Sequence, residues 1–393
     1  MGKVNLGNSW GNAANDLVYG YEDVPNACKI PPRKILSLSG GGVRGVVTLE
    51  ALALLEEKTG KPICDLFDMI VGTSTGGIIA LALARNKHTG QPAMSARELQ
   101  KFYFENSEEI FESSMIRQVL SGKGMLFPKI SPDSLKESLE KNFGTFKLSD
   151  LETPVSITAV NADNNELHIF RSGPSDPQKD FSLVDVGLAT SAAPTYFPRH
   201  TASSVGGQSY TFIDGGIQKN NPVMVGYGDA RRLFGDGKLL ITSVGTGDNR
   251  QSDIKAWKKN ADDVLLPART LVDRILEGQE MADIKILSHF PDVEMVTINP
   301  RIDQDIEGLP EANRSLDASS KPNLRNLTTR SLLDLKQSEL NPDSAISRLF
   351  KHLADANSCD VSTPPTAKLY VHPAAAQVQM TKSDVQQQMQ YAL

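Results

Sequence analysis

Short apolar runs alternate with glycine-rich turns and apolar or amphipathic segments in the first part of the chain. Ile35–Ser39 predicts a strand, and Val46–Lys58 predicts a helix that ends before Gly60. Met69–Gly72 predicts a second strand, and the apolar run Ile78–Ala84 predicts a buried helix after it. Two successive strand–turn–helix units indicate an α/β fold with a mostly parallel sheet and helices on its faces.

The rest of the chain adds further elements and suggests a division into three parts. The pattern predicts a Pro-initiated helix after Ser131, a hairpin of Val155–Val160 with Leu167–Phe170, and a strand at Leu239–Val244. Helical spacing returns in Leu332–Leu340 and Ile346–Asp355. We therefore expect a polar lead-in over 1–32, a main domain over 33–300, and a mostly helical extension and tail over 301–393.

Composition supports a globular protein and gives no sign of a polyanionic partner. Hydrophobic residues make up 39% of the 393 residues, and the 30 glycines bring the apolar share close to that of ordinary globular domains. The net charge of −6 offers no general attraction to nucleic acid or to an anionic membrane. We therefore expect no nucleic-acid partner, and any lipid contact to be local and apolar.

Cysteine usage and hydropathy bear on the compartment. Cys28, Cys64 and Cys359 are sparse, odd in number and without metal-site spacing, which indicates reduced thiols and a cytoplasmic location. The weakly charged stretch Met69–Ala84 is shorter than the roughly 20 residues that a membrane span needs. The segment Met1–Tyr21 has neither an apolar signal core nor a full myristoylation pattern, so neither signal peptide nor lipid anchor is expected.

The first glycine-rich turn, GGGVRG at 40–45, permits two interpretations. It satisfies G-x-G-x-x-G between a strand and a helix, which keeps a dinucleotide site open as a hypothesis. That fingerprint needs an acid at the end of the second strand to hold a ribose. Asp65 and Asp68 precede the strand Met69–Gly72 instead. The misplaced acid weakens the dinucleotide hypothesis.

The second turn, Gly72-Thr73-Ser74-Thr75-Gly76, matches the G-x-S-x-G nucleophile elbow in its strand-to-helix context. A serine lifted off a strand by a sharp turn brings its neighbours into close backbone approach, which favours glycine at Gly72 and Gly76. The helix that follows directs its positive end toward Ser74, where negative charge develops during acyl transfer. The alternative is an ordinary tight turn.

Ser74 needs a base, and Asp214 is the candidate. Asp214 ends an apolar strand and precedes Gly215 and Gly216, which keep its surroundings open. An aspartate is a poor base in water, so this hypothesis demands a desolvated pocket or a direct hydrogen bond to Ser74. No histidine has a comparably distinctive setting, the candidates being His88, His168, His200, His289, His352 and His372.

At this point the chain resembles the patatin-like phospholipase family over roughly residues 33–300. Four blocks match in order, namely GGGVRG at 40–45, GTSTGG at 72–77, ATSAAPTYFP at 189–198 and DGGIQKNNP at 214–222. The resemblance implies a three-layer α/β/α fold and hydrolysis of the acyl esters of membrane phospholipids, without metal or organic cofactor. Some members of the family are effectors switched on by cyclic nucleotides, so the resemblance also allows a small-molecule activator. The sequence does not specify an oligomeric state.

The resemblance also implies roles for individual residues. It makes Ser74 the nucleophile and Asp214 the base of a dyad without histidine. The main-chain N–H groups of Gly41, Gly42 and Val43 then form the oxyanion hole, which agrees with the freedom of a glycine-rich loop to turn amides toward an anion. Supporting positions are Gly40, Arg44, Gly45, Gly72, Gly76, Gly215 and Gly216, with Arg44 expected to steady the loop rather than meet a lipid phosphate.

One segment of the chain, and its function as a whole, each permit more than one interpretation. The aromatic and aliphatic residues within 102–127 form either a mobile cap or, in the favoured interpretation, part of the core. There are two alternatives to a hydrolase. One is a non-catalytic lipid-binding module with the same fold, and the other is a dinucleotide-dependent enzyme that uses Gly40–Gly45.

Overall fold

A mixed sheet forms the centre of the protein. The computed structural model describes residues 31–107, 132–173, 176–194, 196–248, 280–314 and 318–355. Eight strands in these ranges form the sheet: β1 Arg33–Leu38, β2 Met69–Thr73, β3 Val155–Asn161, β4 Glu166–Arg171, β5 His200–Ser203, β6 Ser209–Asp214, β7 Leu239–Val244 and β8 Val293–Ile298. Their order is β5-β6-β3-β2-β1-β7-β8, and β4 also pairs with β3.

Helices connect the strands and cover the sheet. They are α1 Gly45–Thr59, α2 Ile63–Leu66, α3 Thr75–Leu83, α4 Pro132–Phe143, α5 Leu183–Thr190, α6 Gly216–Lys219, α7 Val223–Phe234, α8 Lys321–Glu339 and α9 Ala345–Asp355. Residues 96–107 and 280–287 are helical as well. The strands β3, β2, β1, β7 and β8 run parallel, whereas β4, β5 and β6 are antiparallel to their neighbours. The predicted hairpin is β3 with β4.

Apolar side chains cover both faces of the sheet. Successive residues of a strand point to opposite faces, and in β1 Ile35 belongs to one buried cluster while Leu36 belongs to the other. The cluster of Ile35 includes Val223 and Ala230 of α7, whereas the cluster of Leu36 includes residues of α1, α3 and α5. The expected three-layer α/β/α architecture with a mostly parallel sheet is confirmed.

One edge of β3 carries the ends of two different strands. Residues of β3 from Ser156 to Asn161 pair with β4. Thr158 also pairs with Thr73 at the end of β2, and Ala159 also pairs with Asp214 at the end of β6. Because a strand has two edges and β4 occupies one, β2 and β6 share the other. Their carboxyl ends therefore meet at neighbouring residues of β3.

The C-terminal helices contact the body of the fold. The helix α8 packs along α1, and α9 packs against β8 and α8. Among the residues that form the candidate cap, Tyr103 is buried and Phe102 and Phe104 pack against the main core, while those from 108 to 127 lie outside the described residues. Across the described ranges, no helix combines the length and the apolar character required to cross a membrane.

Candidate active site

The turn between β2 and α3 holds Ser74 in a positive-φ conformation, with φ 55° and ψ −126°. Residues other than glycine adopt such backbone angles rarely and at an energetic cost. Close packing surrounds the turn: a methyl group on Gly72 would lie 2.3 Å from the Gly76 carbonyl oxygen. A methyl group on Gly76 would lie 2.3 Å from the Leu38 carbonyl oxygen. The two glycines are therefore required by backbone contacts that form the sharp strand-to-helix turn.

Ser74 and Asp214 are in direct contact. The Ser74 hydroxyl donates a hydrogen bond of 2.7 Å to Asp214 Oδ2. The Gly216 N–H donates a hydrogen bond of 2.7 Å to Asp214 Oδ1, and the Asp214 N–H donates to the Ala192 carbonyl at 3.0 Å. The structure thus brings together the serine and the aspartate that were singled out in separate segments of the sequence.

The Asp214 carboxyl group is almost fully buried, with 5% of the residue exposed. Burial raises the pKa of Asp214 from 3.8 to about 6, and the hydrogen bonds from Ser74 and Gly216 hold it lower than burial alone would. A carboxylate with a pKa near neutrality accepts a proton more readily than an ordinary aspartate. Asp214 is therefore both desolvated and hydrogen-bonded to Ser74, as the hypothesis of an aspartate base requires.

The glycine-rich loop after β1 lies beside Ser74 and is held from two sides. The Gly40 N–H donates to the main-chain carbonyl of Asn220 at 3.0 Å, and Asn220 Nδ2 donates to the Gly40 carbonyl at 3.4 Å. A methyl group on Gly40 would lie 2.6 Å from Asn220 Oδ1 and 3.2 Å from Ser74 Cβ. On the other side, a methyl group on Gly41 would lie 2.3 Å from Thr246 Oγ1. Both glycines are therefore in close contact with polar side chains.

A short 3₁₀ turn, Gly42–Arg44, continues this loop and leads directly into α1. Gly42 has a positive φ of 56°, and the Arg44 N–H donates to the Gly41 carbonyl at 3.1 Å. The first N–H groups of a helical segment have no acceptor within that segment. Gly42 and Val43 are the first residues of this turn, so their N–H groups have no acceptor within it.

The remaining predicted positions near the site are closely packed. A methyl group on Gly45 would lie 2.6 Å from Thr75 Oγ1, and one on Gly215 would lie 2.3 Å from Thr158 Oγ1. Arg44 is buried, and within the described ranges its Nε has no hydrogen-bond partner. The burial of Arg44 agrees with a role inside the loop.

Sequence reasoning missed several polar residues that contact the site. Thr190 accepts a hydrogen bond of 2.8 Å from the Ser74 N–H, and Asn220 and Thr246 contact the glycine-rich loop as described above. Thr190 and Asn220 lie inside two of the quoted blocks, ATSAAPTYFP and DGGIQKNNP. Each side chain forms a hydrogen bond with the main chain of a segment distant in sequence. Such a contact leaves no local pattern that would single the residue out.

Histidines in the described ranges have contacts of their own. His168 packs among Phe170 and Phe212, and burial lowers its pKa to about 4. His289 Nδ1 contacts the Lys285 carbonyl at 2.7 Å. The others pair with carboxylates, His88 with Asp150, His200 with Asp185 and His352 with Glu294. His372 lies outside the described residues.

The acids considered for a dinucleotide site also have other partners. Asp65 forms an ion pair with Arg85. Asp68 accepts a hydrogen bond of 2.7 Å from the Lys34 N–H and one of 3.0 Å from Arg33. Both carboxylates therefore tie local segments together, which further weakens the dinucleotide hypothesis.

A family model described as patatin-like phospholipase matches residues 36–227. This range runs from β1 into α7 and contains both Ser74 and Asp214. The match therefore covers most of the sheet and the two candidate catalytic residues together.

Individual relatives extend the match beyond this range. The cGAMP-activated phospholipase of Vibrio cholerae is 30% identical over 361 residues, which cover 84% of this chain and 96% of that protein. Patatin-like protein 1 of Arabidopsis thaliana is 29% identical over 358 residues, or 79% of this chain and 84% of that protein. Patatin-like protein 2 of Arabidopsis thaliana is 31% identical over 260 residues, or 58% of this chain. The matched region spans only 62% of the length of that protein. The chain belongs to the patatin-like phospholipase family.

Proposed function

We propose that the protein is a serine lipid acyl hydrolase of the phospholipase A or lysophospholipase type, acting on acyl esters of membrane phospholipids. The observation that carries this proposal is the 2.7 Å hydrogen bond from the Ser74 hydroxyl to the buried Asp214 carboxylate. The Ser74 hydroxyl lies at a strained elbow and is hydrogen-bonded to a carboxylate with a pKa of about 6. This arrangement is suited to nucleophilic attack at neutral pH.

The proposed reaction has two halves. Asp214 takes the proton from the Ser74 hydroxyl while Oγ bonds to the ester carbonyl carbon. The tetrahedral intermediate then collapses, the carbon–oxygen bond to the glycerol breaks, and Asp214 returns the proton to the departing alkoxide. Water completes the second half: Asp214 accepts one of its protons, the hydroxide attacks the acyl-Ser74 ester, and the fatty acid leaves as Ser74 regains its proton.

The oxyanion of the tetrahedral intermediate is assigned to the loop beside Ser74. In this proposal the N–H groups of Gly41, Gly42 and Val43 donate to the negatively charged oxygen. Three features support the assignment: Gly40 is adjacent to Ser74, Gly42 and Val43 begin a helical turn, and Gly41 packs against Thr246. One donor of this kind typically contributes about 10²–10³ in rate.

The cellular setting is part of the proposal. We place the protein in the cytoplasm with transient, peripheral contact to its membrane substrate, and with neither a metal nor an organic cofactor in the reaction. Because a relative that this chain covers almost completely is named a cGAMP-activated phospholipase, we also propose that a small molecule such as a cyclic nucleotide gates activity.

Fatty acid release from phospholipid vesicles tests the proposal. Purified protein is incubated with phosphatidylcholine–phosphatidylglycerol vesicles in EDTA, with and without cGAMP, and compared with Ser74→Ala and Asp214→Asn. Both variants should lose at least about 10³-fold in activity, and a fluorophosphonate should label Ser74. Matched controls are Ser288→Ala and Asp163→Asn at exposed positions.

Other outcomes identify the alternatives. Vesicle binding without fatty acid release or labelling under any condition would indicate a non-catalytic lipid-binding module. Saturable binding of NAD or NADP that is lost on substitution in Gly40–Gly45 would indicate a dinucleotide enzyme.

A further inference from the structure

Three buried threonines connect the elbow of Ser74 to the chain around Asp214. Thr73 ends β2, Thr158 lies in β3, and Thr190 ends α5. Each is completely shielded from solvent. A buried hydroxyl needs hydrogen-bond partners to offset its lost hydration, so the partners of these three define a fixed arrangement.

The first connection runs from Ser74 to β3. The Ser74 N–H donates to Thr190 Oγ1 at 2.8 Å, and Thr190 Oγ1 donates to the Thr158 carbonyl at 2.7 Å. The Thr190 hydroxyl has one proton, which goes to the carbonyl, and a lone pair that receives the amide. Thr190 therefore bridges the main chain of the nucleophile and the main chain of β3.

The second connection runs from β3 to the segment after Asp214. Thr73 Oγ1 donates to the Lys219 carbonyl at 2.8 Å, and lies 2.6 Å from Thr158 Oγ1. Because the Thr73 proton is used at Lys219, the Thr158 hydroxyl donates to Thr73. A methyl group on Gly215 would lie 2.3 Å from Thr158 Oγ1, so the chain just after Asp214 is packed directly on this hydroxyl.

The position of Thr190 matters because Ser74 is strained. The positive φ of Ser74 has an energetic cost, and surrounding contacts must maintain it. Thr190 supplies the acceptor for the Ser74 amide on the side of β3, the strand that also pairs with Asp214 through Ala159. Loss of this acceptor leaves the Ser74 amide without its partner and the elbow free to relax.

We propose that Thr190 is a positioning residue for the nucleophile: its hydroxyl, oriented by the Thr158 carbonyl, fixes the main chain of Ser74 so that the side chain reaches Asp214. The inference rests on the proposed function for its kinetic consequence. Its structural consequence, the placement of Ser74 relative to Asp214, does not depend on which ester is hydrolysed.

The experiment compares Thr190→Val, which keeps the shape and removes the hydroxyl, with Thr190→Ser, which keeps the hydroxyl. Thr190→Val should lower kcat about 10²-fold with KM changed by less than about twofold, because misplacement of a reacting atom impairs the chemical step. Thr190→Ser should stay within about threefold of the parent. Thr328→Val is the matched control, since the buried Thr328 hydroxyl bonds the Leu324 carbonyl within α8.

Two further measurements separate positioning from loss of packing. The acid limb of the kcat/KM profile should move to higher pH in Thr190→Val, because a displaced Ser74 hydroxyl no longer lowers the pKa of Asp214. A crystal structure of Thr190→Val should show Ser74 Oγ out of hydrogen-bond distance from Asp214. If Thr190→Val does not fold, Thr190→Cys serves instead, since its thiol is a weak acceptor.

The outcomes distinguish this inference from the proposed function. A Thr190→Val structure that retains the 2.7 Å contact, or an active parent whose kcat and pH profile survive the substitution, overturns the inference. Equal losses in Thr190→Val and Thr190→Ser also overturn it, because packing rather than the hydroxyl would then be responsible. A parent without esterase activity and with a displaced Ser74 in Thr190→Val refutes the proposed function and supports the positioning role.

Discussion

Thr73 and Asp214 pair with adjacent residues of β3, Thr158 and Ala159. The last residue of one strand and the last residue of another are thereby placed side by side, although they approach β3 from opposite directions. Ser74 follows Thr73 directly, so its hydroxyl emerges next to the Asp214 carboxylate. The geometry of the candidate site is thus a consequence of strand register.

Activity should fall on the acid side of neutrality. Asp214 acts as a base only when ionised, and burial raises its pKa to about 6. We therefore expect kcat/KM to fall about tenfold for each pH unit below roughly 6. Measurement on a soluble short-chain ester between pH 4 and 8 avoids changes in vesicle charge. A midpoint near 3.8 would contradict the buried environment of Asp214.

Ionisation of the buried Asp214 carboxyl group should lower the stability of the fold. Since the folded-state pKa of Asp214 lies above its unfolded value of 3.8, ionisation opposes folding as pH rises through about 6. A difference of this size corresponds to about 3 kcal/mol. Asp214→Asn should therefore be more stable than the parent at pH 8 by up to about 3 kcal/mol, and close to it at pH 4.

Urea unfolding at pH 4, 6 and 8 measures this difference, with the exposed Asp163→Asn as control. The control should show no pH-dependent gap. A gap for Asp214→Asn that is constant with pH would mean that ionisation of this carboxylate does not oppose folding.

The glycine-rich loop should be intolerant of even one added methyl group at its centre. In Gly41→Ala the new methyl group would lie within 2.6 Å of Thr246 Oγ1, Cβ and Cγ2, so the loop must shift and its amides move. We expect a loss of about 10²–10³-fold in kcat. Partial recovery is expected in Gly41→Ala/Thr246→Gly, which removes the clashing side chain.

Gly228→Ala is the comparison for this substitution. Gly228 lies in α7, and nothing lies within 4 Å of an added methyl group there. It should leave activity unchanged and stabilise the helix slightly. If Gly41→Ala were as active as Gly228→Ala, the loop would not supply the oxyanion donors.

Tyr103 should behave as a core residue. Its buried hydroxyl shares a hydrogen bond with Thr75, the residue after the nucleophile, and burial raises its pKa to about 12. Tyr103→Phe should lower the free energy of unfolding by about 1–3 kcal/mol, because the Thr75 hydroxyl loses a buried partner. Denaturant unfolding measures this change. Unchanged stability combined with weaker vesicle binding would instead favour a cap.

Much of the fold was accessible from local sequence. The strand–turn–helix units, the hairpin of β3 with β4 and the helix after Ser131 follow from periodicity and turn residues, and all are present. Ser74 was singled out because it lies between Gly72 and Gly76, and Asp214 because it ends an apolar strand and precedes Gly215 and Gly216. These local signals do not depend on the rest of the chain.

The interactions that position these two residues were not accessible in the same way. Thr190, Thr158 and Asn220 act on main-chain groups of segments distant in sequence, and threonine or asparagine in a helix or strand has no distinctive local pattern. The shared edge of β3 depends on register between strands far apart in sequence, which hydrophobic pattern alone does not specify.

The shared edge of β3 has an implication for how members of the fold can diverge. Thr73, the neighbour of Ser74, and Asp214 both pair with β3. The connections between β2, β3 and β6 can therefore lengthen or shorten without separating the side chains of Ser74 and Asp214. A slip of β3 by a single position, in contrast, would turn Thr158 to the opposite face of the sheet. It would also change the pairing that places Thr73 and Asp214 at adjacent residues of β3. Natural variation should therefore accumulate in the connections, while deletions or insertions inside Val155–Asn161 should be disabling.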